Sequence, residues 1–190
     1  EDQQEAKDMA RDSFELSEAL ELPVFLRSVS RISHASGDVL LEQPRAQRNK
    51  IAFNKHYKLP SRWNVYGPPG GALAKHIWLK EQFPAALALS ESSRYNKLSK
   101  AAGAKVGVIA SGLAGAYTRE ALSELRLTDK ISFLKLGFIH PLPRKKVQDL
   151  LEGIDTLIVV EEGDPFIENE VRGLAKEIGA PVKIYGKKYN

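Results

Sequence analysis

The stretch VGVIASGLAGAYTREALSEL, residues 106–125, decides the fold, because a buried strand passes directly into a helix within it. Its first five residues form a continuous apolar run, which is typical of a strand covered on both faces of a sheet. From Gly112 to Leu125 apolar residues recur at helical spacing, so one side of the predicted helix faces the protein interior. The sequence therefore predicts one strand–helix unit of an α/β domain.

The alternation of strand and helix continues to residue 190. Further strands are predicted at 131–134, 156–160 and 181–185, with helices at 144–151 and from Pro165 to Ile178. Asp164 is a strong N-cap candidate for the last helix, with Pro165 at its first position. Strands alternating with helices at this spacing favour right-handed crossovers and a parallel sheet. We expect residues 105–190 to form a four-stranded parallel-sheet domain.

The first 41 residues contain too little structure for an independent domain. Asp2 and Glu5 have the spacing of a capping box, and an amphipathic helix follows them. We predict a buried strand at 22–26 and a second strand at 39–41. One helix and two strands bury too little surface to be stable alone. Residues 1–41 are therefore expected to be the C-terminal end of a domain whose beginning is missing.

Residues 42–104 are irregular and basic. Prolines and glycines interrupt them repeatedly, with helices predicted at 72–82 and, more weakly, at 85–100. Residues 42–105 carry 12 Lys and Arg against 3 Asp and Glu. We interpret this segment as a connector that docks within one protein. The alternative is a stand-alone module that binds a polyanion or nucleic acid through the basic segment and its aromatic residues.

Composition excludes several chemistries within these 190 residues. There is no cysteine, which excludes disulfides, thiolate metal sites, iron–sulfur clusters and a cysteine nucleophile. No apolar run approaches the roughly 20 residues that a membrane helix needs. The acidic start at 1–5 is the reverse of a signal peptide. We expect a soluble, cytoplasmic protein.

Three loops at the predicted carboxyl edge of the sheet carry candidate site residues, since ligands of parallel sheets bind there. The first could form an anion nest at a helix N-terminus. The second holds a histidine between apolar residues and prolines, and the third offers a pair of carboxylates, because Asp164 is assigned to capping. In chain order these candidates are Ser111, Gly112, Gly115, His140, Glu161 and Glu162.

Arg27, Arg31 and His34 form a fourth group near the N-terminus. Two arginines four residues apart could hold a carboxylate or phosphate, or pair with acids across a domain interface. The sequence shows no Ser-His-Asp set and no zinc-ligand spacing. We assign no metal site.

Three segments together resemble the large (alpha) subunit of indolepyruvate ferredoxin oxidoreductase, within the thiamine-dependent 2-oxoacid:ferredoxin oxidoreductases. The first segment is QEAKDM at 4–9 with FELSEALELPVFLRSVSRISH at 14–34. The second is 106–125, quoted above. The third runs from FLKLGFIHPLP at 133–143 through LIVVEEGDPFIENEVR at 157–172. In the connector, Lys58-Leu59-Pro60 and the run 91–96 are also compatible.

The resemblance implies oxidative decarboxylation of an arylpyruvate to an acyl-CoA with reduction of ferredoxin. Thiamine diphosphate, magnesium, iron–sulfur clusters and coenzyme A would serve the parent enzyme, and the cofactors would supply the difficult chemistry. It also implies that 105–190 is a transketolase C-terminal-like domain, preceded at 1–41 by the tail of a thiamine pyrimidine-binding-type domain. Implied partners are the missing domains of the same subunit, a smaller beta subunit, ferredoxin and a second copy in a dimeric assembly.

Two departures from the family pattern limit what the resemblance implies. The glutamate that activates thiamine would lie upstream of Glu1, and the GDG…N magnesium–diphosphate signature is absent. We therefore assign no catalytic residue and no bound cofactor to this chain, and expect it to be inactive alone. Nucleic acid and membrane are not expected partners. The candidate residues above are expected to act at an interface or around a neighbouring site.

Overall fold

The computed structural model describes residues 2–43 and 71–187. Contacts divide the chain into two units, Asp2–Pro84 and Ala85–Asn190. The elements of the first unit are α1 (Gln3–Leu20), α2 (Ser30–Ser33) and the first part of α3 (Gly71–Ser92). Residues 44–70 of the predicted basic connector lie outside the described residues.

Helix α1 begins where the sequence predicted. The Asp2 carboxylate accepts the backbone N–H of Glu5 at 2.7 Å, and Glu21 follows the helix in the left-handed region with φ 52°. The predicted strand at 22–26 is wrong: these residues form no strand, and the Phe25 side chain is 92% exposed. Residues 39–41 form no strand either. An apolar run becomes a buried strand only beside another strand, and no described residue of this unit supplies one.

Polar contacts instead hold the extended chain at 37–42 against α1. The Leu40 backbone N–H donates to the Gln4 side-chain oxygen at 2.7 Å, and Lys7 Nζ donates to the Leu40 carbonyl at 2.8 Å. Arg11 pairs with Glu42. Among residues 2–43, Leu20 is the buried apolar side chain, so the segment has almost no core of its own.

The second unit is built on a five-stranded sheet. Its strands are β1 (Lys97–Ser99), β2 (Val106–Ser111), β3 (Ser132–Leu136), β4 (Thr156–Val160) and β5 (Lys183–Tyr185), in the order β1-β3-β2-β4-β5. The last four strands are parallel, as predicted, and β1 adds an antiparallel edge beside β3. The helices predicted at 72–82 and 85–100 are one continuous helix, α3, which includes Pro84 and ends at Ser92, and β1 follows it.

Three helices connect the parallel strands. They are α4 (Gly112–Glu124), α5 (Arg144–Leu151) and α6 (Phe166–Glu177), close to the predicted bounds. The larger core lies on the face that α5 and α6 cover, where Ile109, Leu134 and Leu150 are fully buried. A smaller cluster around Val108 and Phe133 includes α4 on the opposite face. β3 lies on one side of β2 and β4 on the other, and helices cover both faces of the sheet. Right-handed crossovers produce this arrangement.

Candidate functional site

The sheet order brings three candidate loops to one edge. β2 lies between β3 and β4, and all three strands are parallel, so their carboxyl ends are neighbours. Ser111 ends β2, His140 follows β3, and Glu161 follows β4. The structure therefore places these residues on the same side of the domain, as the sequence predicted. Arg27, Arg31 and His34 belong to the other unit.

A buried asparagine, Asn96, binds the backbone of the loop that carries His140. Asn96 is 2% exposed, and its side-chain oxygen accepts the backbone N–H groups of Gly137 and Phe138, each at 2.9 Å. Its side-chain nitrogen donates to the carbonyls of Phe138 and Ser90, again at 2.9 Å. One amide thus uses both of its ends on the same loop and on the end of α3.

Ser90 and Glu91 at the end of α3 add two more attachments. The buried Ser90 hydroxyl donates to the Pro141 carbonyl at 2.6 Å. The Glu91 carboxylate accepts the Lys145 backbone N–H at 2.7 Å, which satisfies a free donor at the start of α5. We call Ser90, Glu91 and Asn96 the α3–β1 clamp. It fixes both ends of the loop 137–143.

His140 itself is exposed at the tip of this clamped loop. Its peptide bond to Pro141 is cis. The imidazole meets the Phe166 ring edge to face, with ring centroids 6.1 Å apart. Phe166 begins α6. This contact links the loop after β3 to the helix after β4.

Glu161 is a helix cap, which corrects the assignment of Asp164 to that role. The Glu161 carboxylate accepts the backbone N–H of Ile167 at 2.8 Å and of Glu168 at 3.0 Å, and Glu161 is 8% exposed. Asp164 contributes its backbone carbonyl to a turn with Phe166, and no side-chain cap is provided at the residue preceding α6. A negative carboxylate at a helix N-terminus is favourable twice, through hydrogen bonds and through the helix dipole.

The loop between β2 and α4, the first of the three candidate loops, was predicted to form an anion nest. Ser111 is extended, Gly112 has φ 55°, and a Cβ on Gly112 would meet no atom within 4 Å. The Ser111 hydroxyl makes no capping bond to α4. Gly115 is buried one turn into the helix. Anion binding by this loop stays a prediction.

Sequence reasoning missed the residues that shape this edge. Asn96 and Glu91 lie in the segment interpreted as a connector, and their partners are about 40 to 55 residues away in sequence. Glu168, fully buried in α6, and Lys135, 2% exposed in β3, were also missed. A useful signal was present for Glu168 alone, since a polar residue stood at a core-facing position of the helix.

The described residues do not suit a magnesium–diphosphate group. No group of three or more His, Asp or Glu side chains in 2–43 and 71–187 could hold a metal ion. The two oxygens of Glu161 accept backbone N–H groups, and those of Glu168 accept from Arg172 and Lys187. Such carboxylates hold the fold together. None of the helices in the same ranges has the length and hydropathy of a membrane-spanning segment.

The fold defines the class of the second unit, an α/β domain built on a mostly parallel five-stranded sheet. A solved 2-oxoglutarate:ferredoxin oxidoreductase from Magnetococcus marinus has this fold, with a TM-score of 0.50 at 16% sequence identity. The likeness covers 65% of this chain and 22% of that one.

The sequence comparisons identify the family. The family model for the indolepyruvate oxidoreductase domain matches residues 96–190. The indolepyruvate oxidoreductase subunit IorA of Pyrococcus abyssi is 37% identical over 97% of this chain, and that of Archaeoglobus fulgidus is 38% identical over 97%. The chain belongs to the indolepyruvate oxidoreductase family. It spans 28% of the length of these relatives.

Proposed function

We propose that this chain is a structural part of the alpha subunit of an indolepyruvate:ferredoxin oxidoreductase. The whole enzyme would decarboxylate arylpyruvates oxidatively, transfer the acyl group to coenzyme A and reduce ferredoxin. The observation that carries the proposal is the match along 97% of this chain to IorA relatives that are more than three times as long, since it spans 28% of them. The chain would be cytoplasmic and would work with the rest of its subunit, a beta subunit and ferredoxin.

Within that enzyme, the second unit would be a rigid scaffold beside the cofactor domains. Two features support this role. The buried acids of the unit bind backbone groups and an arginine, and the α3–β1 clamp fixes the shape of the carboxyl edge. A preorganised surface loses little conformational entropy when another domain packs on it. His140 and Phe166 would be contact residues at this edge.

The first unit would complete its core against a neighbouring domain. Large apolar side chains are exposed along both of its described parts; these are Phe14, Val24, Phe25, Leu26, Leu40, Leu41, Leu73, Ile77, Leu79 and Phe83. Exposed apolar surface of this extent marks an interaction site in a native protein. We propose that the thiamine pyrimidine-binding-type domain of the same subunit packs on this surface. The complete enzyme would form a dimer, in which two copies of the assembled subunit contact each other.

Calorimetry with thiamine diphosphate and magnesium tests whether the chain is scaffold or catalyst. The 190-residue chain should release no binding heat up to millimolar cofactor, whereas micromolar binding would refute the scaffold role.

The family activity needs a separate test. We would replace the matching stretch of the Pyrococcus abyssi subunit with this sequence and measure indolepyruvate-dependent reduction of ferredoxin in the assembled enzyme. A folded, assembled chimera should retain activity within about tenfold. An assembled chimera without activity would contradict the proposed function.

A further inference from the structure

A fully buried glutamate lies in the first turn of α6. Because it is buried, it has no part in the surface that the proposed scaffold role requires. Glu168 is 0% exposed. One carboxylate oxygen accepts from Arg172 Nε at 2.8 Å, and the other accepts from the Lys187 backbone N–H at 2.7 Å. Burying a carboxylate is costly unless charge and hydrogen bonds compensate it. Here the compensation comes from the same helix and from the chain that follows β5.

Arg172 extends this attachment to the edge strand. While its Nε binds Glu168, its Nη2 donates to the Ile184 carbonyl of β5 at 2.7 Å. In β5 the Lys183 N–H donates towards Asp155, beside β4. Because neighbouring residues of a strand direct their backbone groups to opposite sides, the Ile184 carbonyl points away from β4. Arg172 therefore binds the outer edge of a strand that is only three residues long.

Gly186 and Lys187 fix the chain immediately after β5. A Cβ on Gly186 would lie 2.6 Å from Glu168 Cδ, so no larger residue fits while the carboxylate keeps its place. The Lys187 side chain donates to the carbonyl of Gly163, in the loop between β4 and α6. Lys187 is thus bound through its backbone N–H to the buried acid and through its side chain to the loop.

We propose that Glu168, Arg172, Gly186 and Lys187 form a latch that directs the chain leaving β5 over the first turn of α6. The latch goes beyond the scaffold role, because it holds the chain after β5 through a buried side chain of α6 and not through the surface on which another domain would pack. The segment that the latch holds is part of this same chain, from Ile184 to Lys187.

Amide hydrogen exchange of the full chain, read by NMR or by peptide mass spectrometry, tests the latch. Gly186→Ala should speed exchange of the Lys187 amide at least tenfold, because the carboxylate and the methyl group cannot occupy the same space. The matched control is Gly173→Ala in α6, where an added Cβ meets nothing within 4 Å. It should leave the Lys187 amide within about twofold of the unmodified chain. Unchanged Lys187 exchange in Gly186→Ala would overturn the proposal.

A second variant covers the case in which Gly186→Ala unfolds, which rapid exchange throughout β2 and β4 would reveal. Arg172→Met keeps much of the side-chain length but loses both hydrogen bonds. We expect trypsin to cleave after Lys187 at least fivefold faster, while amides of β2 keep their protection. Cleavage at the unmodified rate, with β2 still protected, would show that Arg172 does not hold this strand and would overturn the latch.

Discussion

The two units of the chain differ in how they use apolar residues. In the second unit, β2, β3 and β4 bury theirs between helices on both faces, and Leu134 and Leu150 are fully enclosed. In the first unit, residues of the same types remain at the surface, with Phe25 92% and Leu41 83% exposed. Composition therefore does not decide which part is a domain. A complete set of neighbouring elements does.

The largest expected effect is a core truncation in the second unit. Leu134→Ala should lower the free energy of unfolding by about 3 kcal/mol, because it removes buried methyl groups and leaves a cavity. Urea denaturation followed by circular dichroism measures the change. The matched variant is Phe25→Ala in the first unit, which should change stability by less than about 0.5 kcal/mol. Equal losses in the two variants would contradict the contrast between the units.

The next effect concerns the α3–β1 clamp. Asn96→Ala leaves two N–H groups and two carbonyls of a buried site without this partner, so we expect a loss of about 2 kcal/mol. Asn169→Ala, on the exposed side of α6, serves as the control and should be nearly neutral. If Asn96→Ala matched that control, the loop 137–143 would not depend on the clamp.

The sequence predicted the parallel strands well because their signals are local. Each strand is a short apolar run next to a helix with a clear period, as in 106–125. The clamp could not be predicted in the same way, because Asn96 acts on Gly137 and Phe138 across the fold. Likewise 22–26 has the composition of a buried strand, and only the missing neighbours decide that it is not one.

The sequence predicted that the three candidate loops share one edge of the sheet, but it did not predict the capping role of Glu161. The rule for parallel sheets correctly brought Ser111, His140 and Glu161 to one edge. Local capping preferences favoured Asp164, and yet it is Glu161 that accepts the backbone N–H groups of Ile167 and Glu168, six and seven residues later. A cap supplied by the preceding strand depends on the angle between strand and helix, which no local pattern encodes.

Glu161 and Glu162 offer a smaller and sharper test, since the two neighbours carry the same charge. Glu161→Ala should cost about 1 to 2 kcal/mol through loss of the cap on α6. Glu162 is exposed, so Glu162→Ala should cost less than about 0.5 kcal/mol. Thermal unfolding of the two variants side by side gives the difference. A larger loss in Glu162→Ala would contradict the capping assignment.

The smallest expected effect is a loosening of the first unit in acid. Hydrogen bonds from Arg11 lower the pKa of Glu42, and hydrogen bonds from Lys7 and Gln4 lower the pKa of Asp8. A carboxyl group whose pKa is lower in the folded chain than in the unfolded chain stabilises the folded chain at any pH above the unfolded pKa of about 4. That stabilisation is lost as the pH falls through the lower pKa of the folded chain. These groups are exposed, so solvent screens the effect.

The Leu40 amide reports this loosening, because it is hydrogen-bonded to Gln4 on α1. Between pH 6 and about pH 3, its NMR signal should shift towards the position of an unstructured amide, while amides of β2 stay unchanged. The control is Glu42→Gln, which removes the titrating group that pairs with Arg11 and should already show part of the shift at pH 6. A Leu40 signal that moves together with β2 would mean that acid unfolds both units at once, and the first unit would then not be the weaker one.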